Sequence, residues 1–211
     1  AAMAQSQALY IPADNGGQAQ YLRWAPGMKM TAALNTVRSA KDFFFPQTEG
    51  LVNFKMTGKT IEVIDPRTEA EDFVVFGVRA CDARSFSILD KVFLVDPVDT
   101  YYQNRREHGT IVTMACRQPE ETCFCTSFGI DPTHPEGDAV CWMTDDALYF
   151  EAVTPKGEAL KEKIASLFEE SDDAAVKAQQ AETKAVLDRL PLHTFTAEPL
   201  GGDVLMKVFD S

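Results

Sequence analysis

Basic charge is scarce in this chain. Twenty Lys and Arg stand against thirty-two Asp and Glu, a net charge of -12 over 211 residues. Neutralising phosphates needs a basic footprint, so the balance argues against nucleic acid as a partner and against an anionic membrane surface. Long hydrophobic runs are also missing; none approaches the roughly 18 residues of a membrane helix. The N-terminal AAMAQSQALY has no basic region and no apolar signal core, so the expected compartment is the cytoplasm, where thiols stay reduced. Histidine is rare. His108, His134 and His193 show no metal-pair spacing, and no Ser-His-Asp or Cys-His arrangement emerges. A phosphate-cradling loop is absent too: the GKT at 58–60 has Asn53 where the upstream Gly is required, and the following IEVI is strand-like.

Apolar residues at 45% and charged residues at 25% fit a folded domain, and 1–211 reads as a single α/β unit. Residues 1–35 read as irregular. SAKDFFFPQTEGLVNF, at 39–54, carries three consecutive Phe before Pro46, an aromatic plug over the core. Residues 51–64 read as a hairpin turning near Gly58. DFVVFGV, at 72–78, is a buried strand. Asp82 can then cap a helix with Phe86, Leu89 and Phe93 on its apolar side. A second helix runs through VDTYYQNRRE to His108–Gly109, and TIVTMA at 110–115 is a second buried strand. Strand, helices, strand is a βαβ unit with parallel neighbours. Residues 139–153 form a hairpin around Asp145–Asp146. Residues 157–190 are helical, with Leu160, Ile164, Leu167 and Phe168 as one stripe and a break at 171–173. The tail from His193 is a loop and then an amphipathic end. The expected architecture is a mostly parallel or mixed sheet with hairpin additions and C-terminal helices.

This topology places the cysteines. Cys81 and Cys116 lie just past the C-terminal ends of neighbouring parallel strands, the edge where open α/β sheets carry their sites. Cys123 and Cys125 come next, on a short loop that can fold back over that edge. Four thiolates around a point suit a structural zinc or an iron–sulfur cluster. The spacing Cys-x34-Cys-x6-Cys-x-Cys lacks paired knuckles, and Cys-x-Cys is cramped on one tetrahedral ion. A cubane places each ligand on its own iron, so the spacing favours the cluster. A zinc-stapled assembly domain and a thiol redox protein using Cys123 and Cys125 stay open. Arg79, Arg84 and Arg117 are candidates to tune an anionic centre, or plain ion-pair partners. Cys141, beside Trp142, reads as a buried apolar residue.

GVRACDARSFSILDKVF, YYQNRRE and CRQPEETCFCTSFG, together with the Phe-rich string, resemble one family in order over 39–160. It is the iron–sulfur beta subunit of cytosolic NiFe hydrogenases (sulfhydrogenases), with which the A subunit of anaerobic sulfite reductase groups. The resemblance implies that Cys81, Cys116, Cys123 and Cys125 hold a 4Fe-4S cluster. It implies an electron-transfer subunit of a multisubunit oxidoreductase, non-catalytic itself, because four Cys ligands leave no open iron. The implied partners are a flavin-binding subunit, a separate catalytic subunit and a ferredoxin-like module. The Cys-x2-Cys-x2-Cys-x3-Cys-Pro runs of that module do not occur in 1–211, so the resemblance implies either the family's N-terminal domain or a natural short form.

Overall fold

A computed structural model describes residues 1–31 and 33–193 of the chain. In chain order the regular elements are β1 (Ala8–Asn15), β2 (Gln18–Arg23), β3 (Asn53–Thr57), β4 (Thr60–Ile64), β5 (Phe73–Val78), α1 (Ala80–Phe93), α2 (Thr100–His108), β6 (Gly109–Met114), β7 (Ala139–Met143), β8 (Leu148–Ala152), α3 (Pro155–Lys163) and α4 (Ala174–Leu187). Six strands form one mixed sheet in the order β2-β1-β5-β6-β7-β8, while β3 and β4 pair by themselves. The four inner strands are mutually parallel, and β2 and β8 close the two edges in antiparallel pairing. The α/β class, the βαβ unit β5-α1-α2-β6 and the hairpins at 51–64 and 139–153 are thus as expected.

The strands bury both faces, as parallel strands do. Leu9, Ile11, Val74, Phe76, Val112, Met114 and Cys141 face one side and pack with Leu160 of α3. Val75, Val78 and Ile111 face the other, against Phe86 of α1, Tyr102 of α2 and Phe44. The Phe run is the expected plug, divided three ways. Phe44 is fully buried, Phe43 stacks on Tyr10 at 4.5 Å, and Phe45 stays half-exposed against Phe93. Phe44 lies so close over Gly109 that a Cβ there would fall 2.3 Å from its ring.

Strict alternation would put Val78 on the side of Val74 and Phe76. Instead it joins Val75, because the β5–β6 register shifts between Phe76 and Val78. Gly77, at φ +84°, makes this bulge, and a bulge re-aims the chain beyond it. Arg79, Ala80 and Cys81 are the residues redirected here.

Residues 1–35 are not irregular throughout: β1 and β2 form a hairpin, and β1 extends the parallel sheet. Gly16 and Gly17 have φ of 65° and 86°, the consecutive positive values a two-residue hairpin turn needs. Pro12 is tolerated within β1 because the ladder from β1 to β5 ends at Tyr10, so Pro12 has no bond to donate there. The C-terminal stripe also differs. Thr154 caps α3 and the helix ends at Lys163, so Leu160 and Ile164 are buried while Leu167 is 66% exposed on a short 3-10 turn. The expected amphipathic end of the tail lies outside the described residues.

Candidate metal centre

Parallel pairing of β5 and β6 puts both strand exits on one edge. Cys81 sits in the first turn of α1, three residues past Val78, and is exposed; Cys116, two residues past Met114, is buried. Beyond Cys116 the loop turns tightly. The Cys123 N–H donates to the Glu120 carbonyl at 2.9 Å, and the Glu120 N–H donates back to the Cys123 sulfur at 3.3 Å. Cys125 opens a 3-10 turn, Cys125–Phe128, that closes on Gly129 in the left-handed region. Phe124 and Phe128 flank it, half-exposed and edge to face at 5.7 Å.

The four thiols influence one another. The Cys125 thiol hydrogen-bonds the Cys81 sulfur, which brings Cys81 down to about 7. Burial and the Asp82 charge oppose this, while the N–H groups of Asp82 and Cys81 itself assist it. Donation to Cys81 holds Cys125 far above the ordinary thiol range, with burial and the negative charges of Cys81, Cys116 and Cys123 adding to the rise. Burial pushes Cys116 up to about 11; Cys81 and Cys123 push the same way, and Arg79 and the Ala80 N–H pull against them. The first amides of α1 are therefore turned toward sulfur, as free helix N-terminal groups turn toward anions. Cys141 stands apart. It is fully buried in the sheet, and desolvation alone raises it to about 12.

No three His, Cys, Asp or Glu side chains among the described residues are placed to hold a single metal ion. The gathering is looser than a closed one-ion site, in which every ligand must reach the same point. The donor set itself is all thiol, the chemistry that selects zinc, copper(I) and iron–sulfur clusters.

The arginines separate. Arg84 pairs with Glu136 at 2.7 Å and Arg117 with Asp145 at 2.6 Å, both exposed ion pairs. Arg79 alone bears on a thiol, and its guanidinium is fixed by the carbonyls of Leu34 at 3.0 Å and Ala33 at 3.4 Å. Asp82 is not the cap of α1. The helix begins two residues before it with Arg79 at the N-cap, because the chain leaves the Gly77 bulge directly into helix. Asp82 instead accepts a hydrogen bond from the Ser39 hydroxyl at 2.8 Å. A cleft of about 310 Å³, lined by Tyr21, Leu34, Ser39, Arg79, Cys81 and Asp82, adjoins the site. Sequence reading missed Tyr21 and Ser39; no local motif marks them, and only the β1–β2 hairpin and the Phe-run segment bring them here. His108 ends α2 and contacts Asp72, and His134 contacts Glu151, so neither joins the thiols.

Among curated proteins, the beta subunit of sulfhydrogenase 2 from Pyrococcus furiosus is 38% identical to this chain over 96 residues. The matched stretch is 46% of this chain and 27% of that relative's length. No protein-family model matches, and no solved structure does.

Proposed function

We propose that this chain, a relative of the sulfhydrogenase beta subunit, is an electron-transfer component of a multisubunit oxidoreductase. Cys81, Cys116, Cys123 and Cys125 would hold one 4Fe-4S cluster, whose chemistry when bound is one-electron transfer. The observation that supports the reading is the topology: parallel β5 and β6 exit at one sheet edge with Cys81 and Cys116, the loop after Cys116 carries Cys123 and Cys125, and Cys141 is buried within the sheet. The chain supplies what an anionic centre needs. N–H groups of Ala80, Asp82 and Glu120 donate to sulfur, and Arg79 adds a cation. Such donors and charges raise a cluster's reduction potential. The partners are a flavin-binding subunit, a catalytic subunit and a ferredoxin-like module, in the cytoplasm; no helix among the described residues is long and apolar enough to cross a membrane.

Anaerobic purification tests this. Absorbance near 400 nm with about four irons and four sulfides per chain is the expected result. Ser at any of positions 81, 116, 123 or 125 should lose most of that iron, while Cys141→Ala keeps it. One zinc without sulfide sinks the proposal, as does full iron retention by Cys81→Ser.

A second reading has one observation in its favour. The hydrogen bond joins Cys81 to Cys125, so a thiol redox protein of this fold would cycle a disulfide between those two rather than between Cys123 and Cys125.

A further inference from the structure

We infer that the β3–β4 hairpin is the surface through which two copies of this chain pair face to face. The register sets Phe54 opposite Val63 and Met56 opposite Ile61. Side chains alternate across a strand, so these four share one face, while Lys55 and Glu62 share the other. Nothing among the described residues covers the apolar face: Phe54 is 73% exposed, Met56 69%, Ile61 62% and Val63 70%. The hairpin is ordered at its base, where the Tyr101 hydroxyl donates to the Leu51 carbonyl at 2.6 Å. An isolated two-stranded sheet is marginal in water and gains stability by packing a face.

Area and symmetry select a second copy as the occupant, and charge selects this face for the pairing. The four side chains expose on the order of 500 Å² of apolar surface, at the upper end of what monomers show. Two such faces stacked about 10 Å apart, as sheets stack, bury about 1,000 Å², the floor for a specific interface. A flat patch meeting its own copy across a two-fold axis is self-complementary by construction. Each chain carries a net charge of -12, so most faces would bring acid against acid. The hairpin carries Lys55, Lys59 and Glu62, and none of the three lies among the four stacking side chains. This pairing is independent of what the thiols bind.

Sedimentation of the whole chain at about 0.15 M salt, where charge is screened within about 8 Å, tests the pairing. At tens of micromolar the expected species has twice the monomer mass. A double variant, Phe54→Thr with Ile61→Lys, should raise the dissociation constant at least 100-fold while the far-ultraviolet circular dichroism is unchanged. Lys55→Thr, on the opposite face, should leave it unchanged. A wild-type chain that stays monomeric, including one that instead binds anionic vesicles or a different protein through this face, overturns the inference. So does a dimer that survives the double variant.

Discussion

Cys81 and Cys141 are the same side chain in opposite surroundings. A thiol donor and two backbone N–H groups stabilise the Cys81 thiolate, so its pKa falls to about 7; Cys141 has only desolvation, which raises it to about 12. A lowered pKa keeps the thiolate present as pH drops toward 7 and removes it below. In the cluster-free protein, iodoacetamide should therefore alkylate Cys81 with a half-maximal rate near pH 7. Cys141 should stay unmodified until the chain unfolds, and peptide mass spectrometry reads both. Residue identity and spacing single out Cys81, Cys116, Cys123 and Cys125 as the proposed ligands. They did not separate Arg79 from Arg84 and Arg117, because closeness in sequence does not fix where a long side chain points. The carbonyls of Leu34 and Ala33 aim Arg79 at the site, while Glu136 and Asp145 draw the other two away.

At the scale of elements, β5 decides where the first proposed ligand, Cys81, goes. Its bulge at Gly77 turns Val78 into the opposite core and starts α1 so that Cys81 falls in the first turn. Alanine at 77 would have to hold φ near +84° with its Cβ 3.2 Å from the Pro12 ring. Gly77→Ala should cost about 1–3 kcal/mol of stability in denaturant titrations and lower cluster occupancy in iron analysis, since backbone relaxation there shifts Cys81. The βαβ unit and both later hairpins were legible because continuous or alternating apolar runs are bounded by turn residues. The β1–β2 hairpin was not, although Gly16–Gly17 is a hairpin signal. Pro12 interrupts the strand pattern there, and only the short ladder between β1 and β5 shows why it is tolerated.

At the scale of the molecule, the proposed ligands tie the start of α1 to the β6 exit and the loop after it, crossing from residue 81 to residue 125. A ligand that binds only the folded state stabilises it by linkage. Thermal unfolding of the cluster-loaded chain should therefore lie several degrees above that of the cluster-free chain, with Cys125→Ser insensitive to iron and sulfide. An unchanged midpoint on loading would show that the four thiols do not act as one site.

The sequence by itself determined the α/β class and the parallel neighbours β5 and β6, whose exits put Cys81 and Cys116 at one sheet edge. Those are consequences of hydrophobic patterning and of the crossover rule, both local in origin. Tertiary structure alone decided the rest: the influence of Cys125 on the Cys81 thiol, Arg79 as the arginine among the three candidates that bears on a thiol, the cleft beside Cys81 and the apolar face of the β3–β4 hairpin that no described residue covers. Each depends on the direction of side chains from segments far apart in sequence, which packing sets and residue order does not.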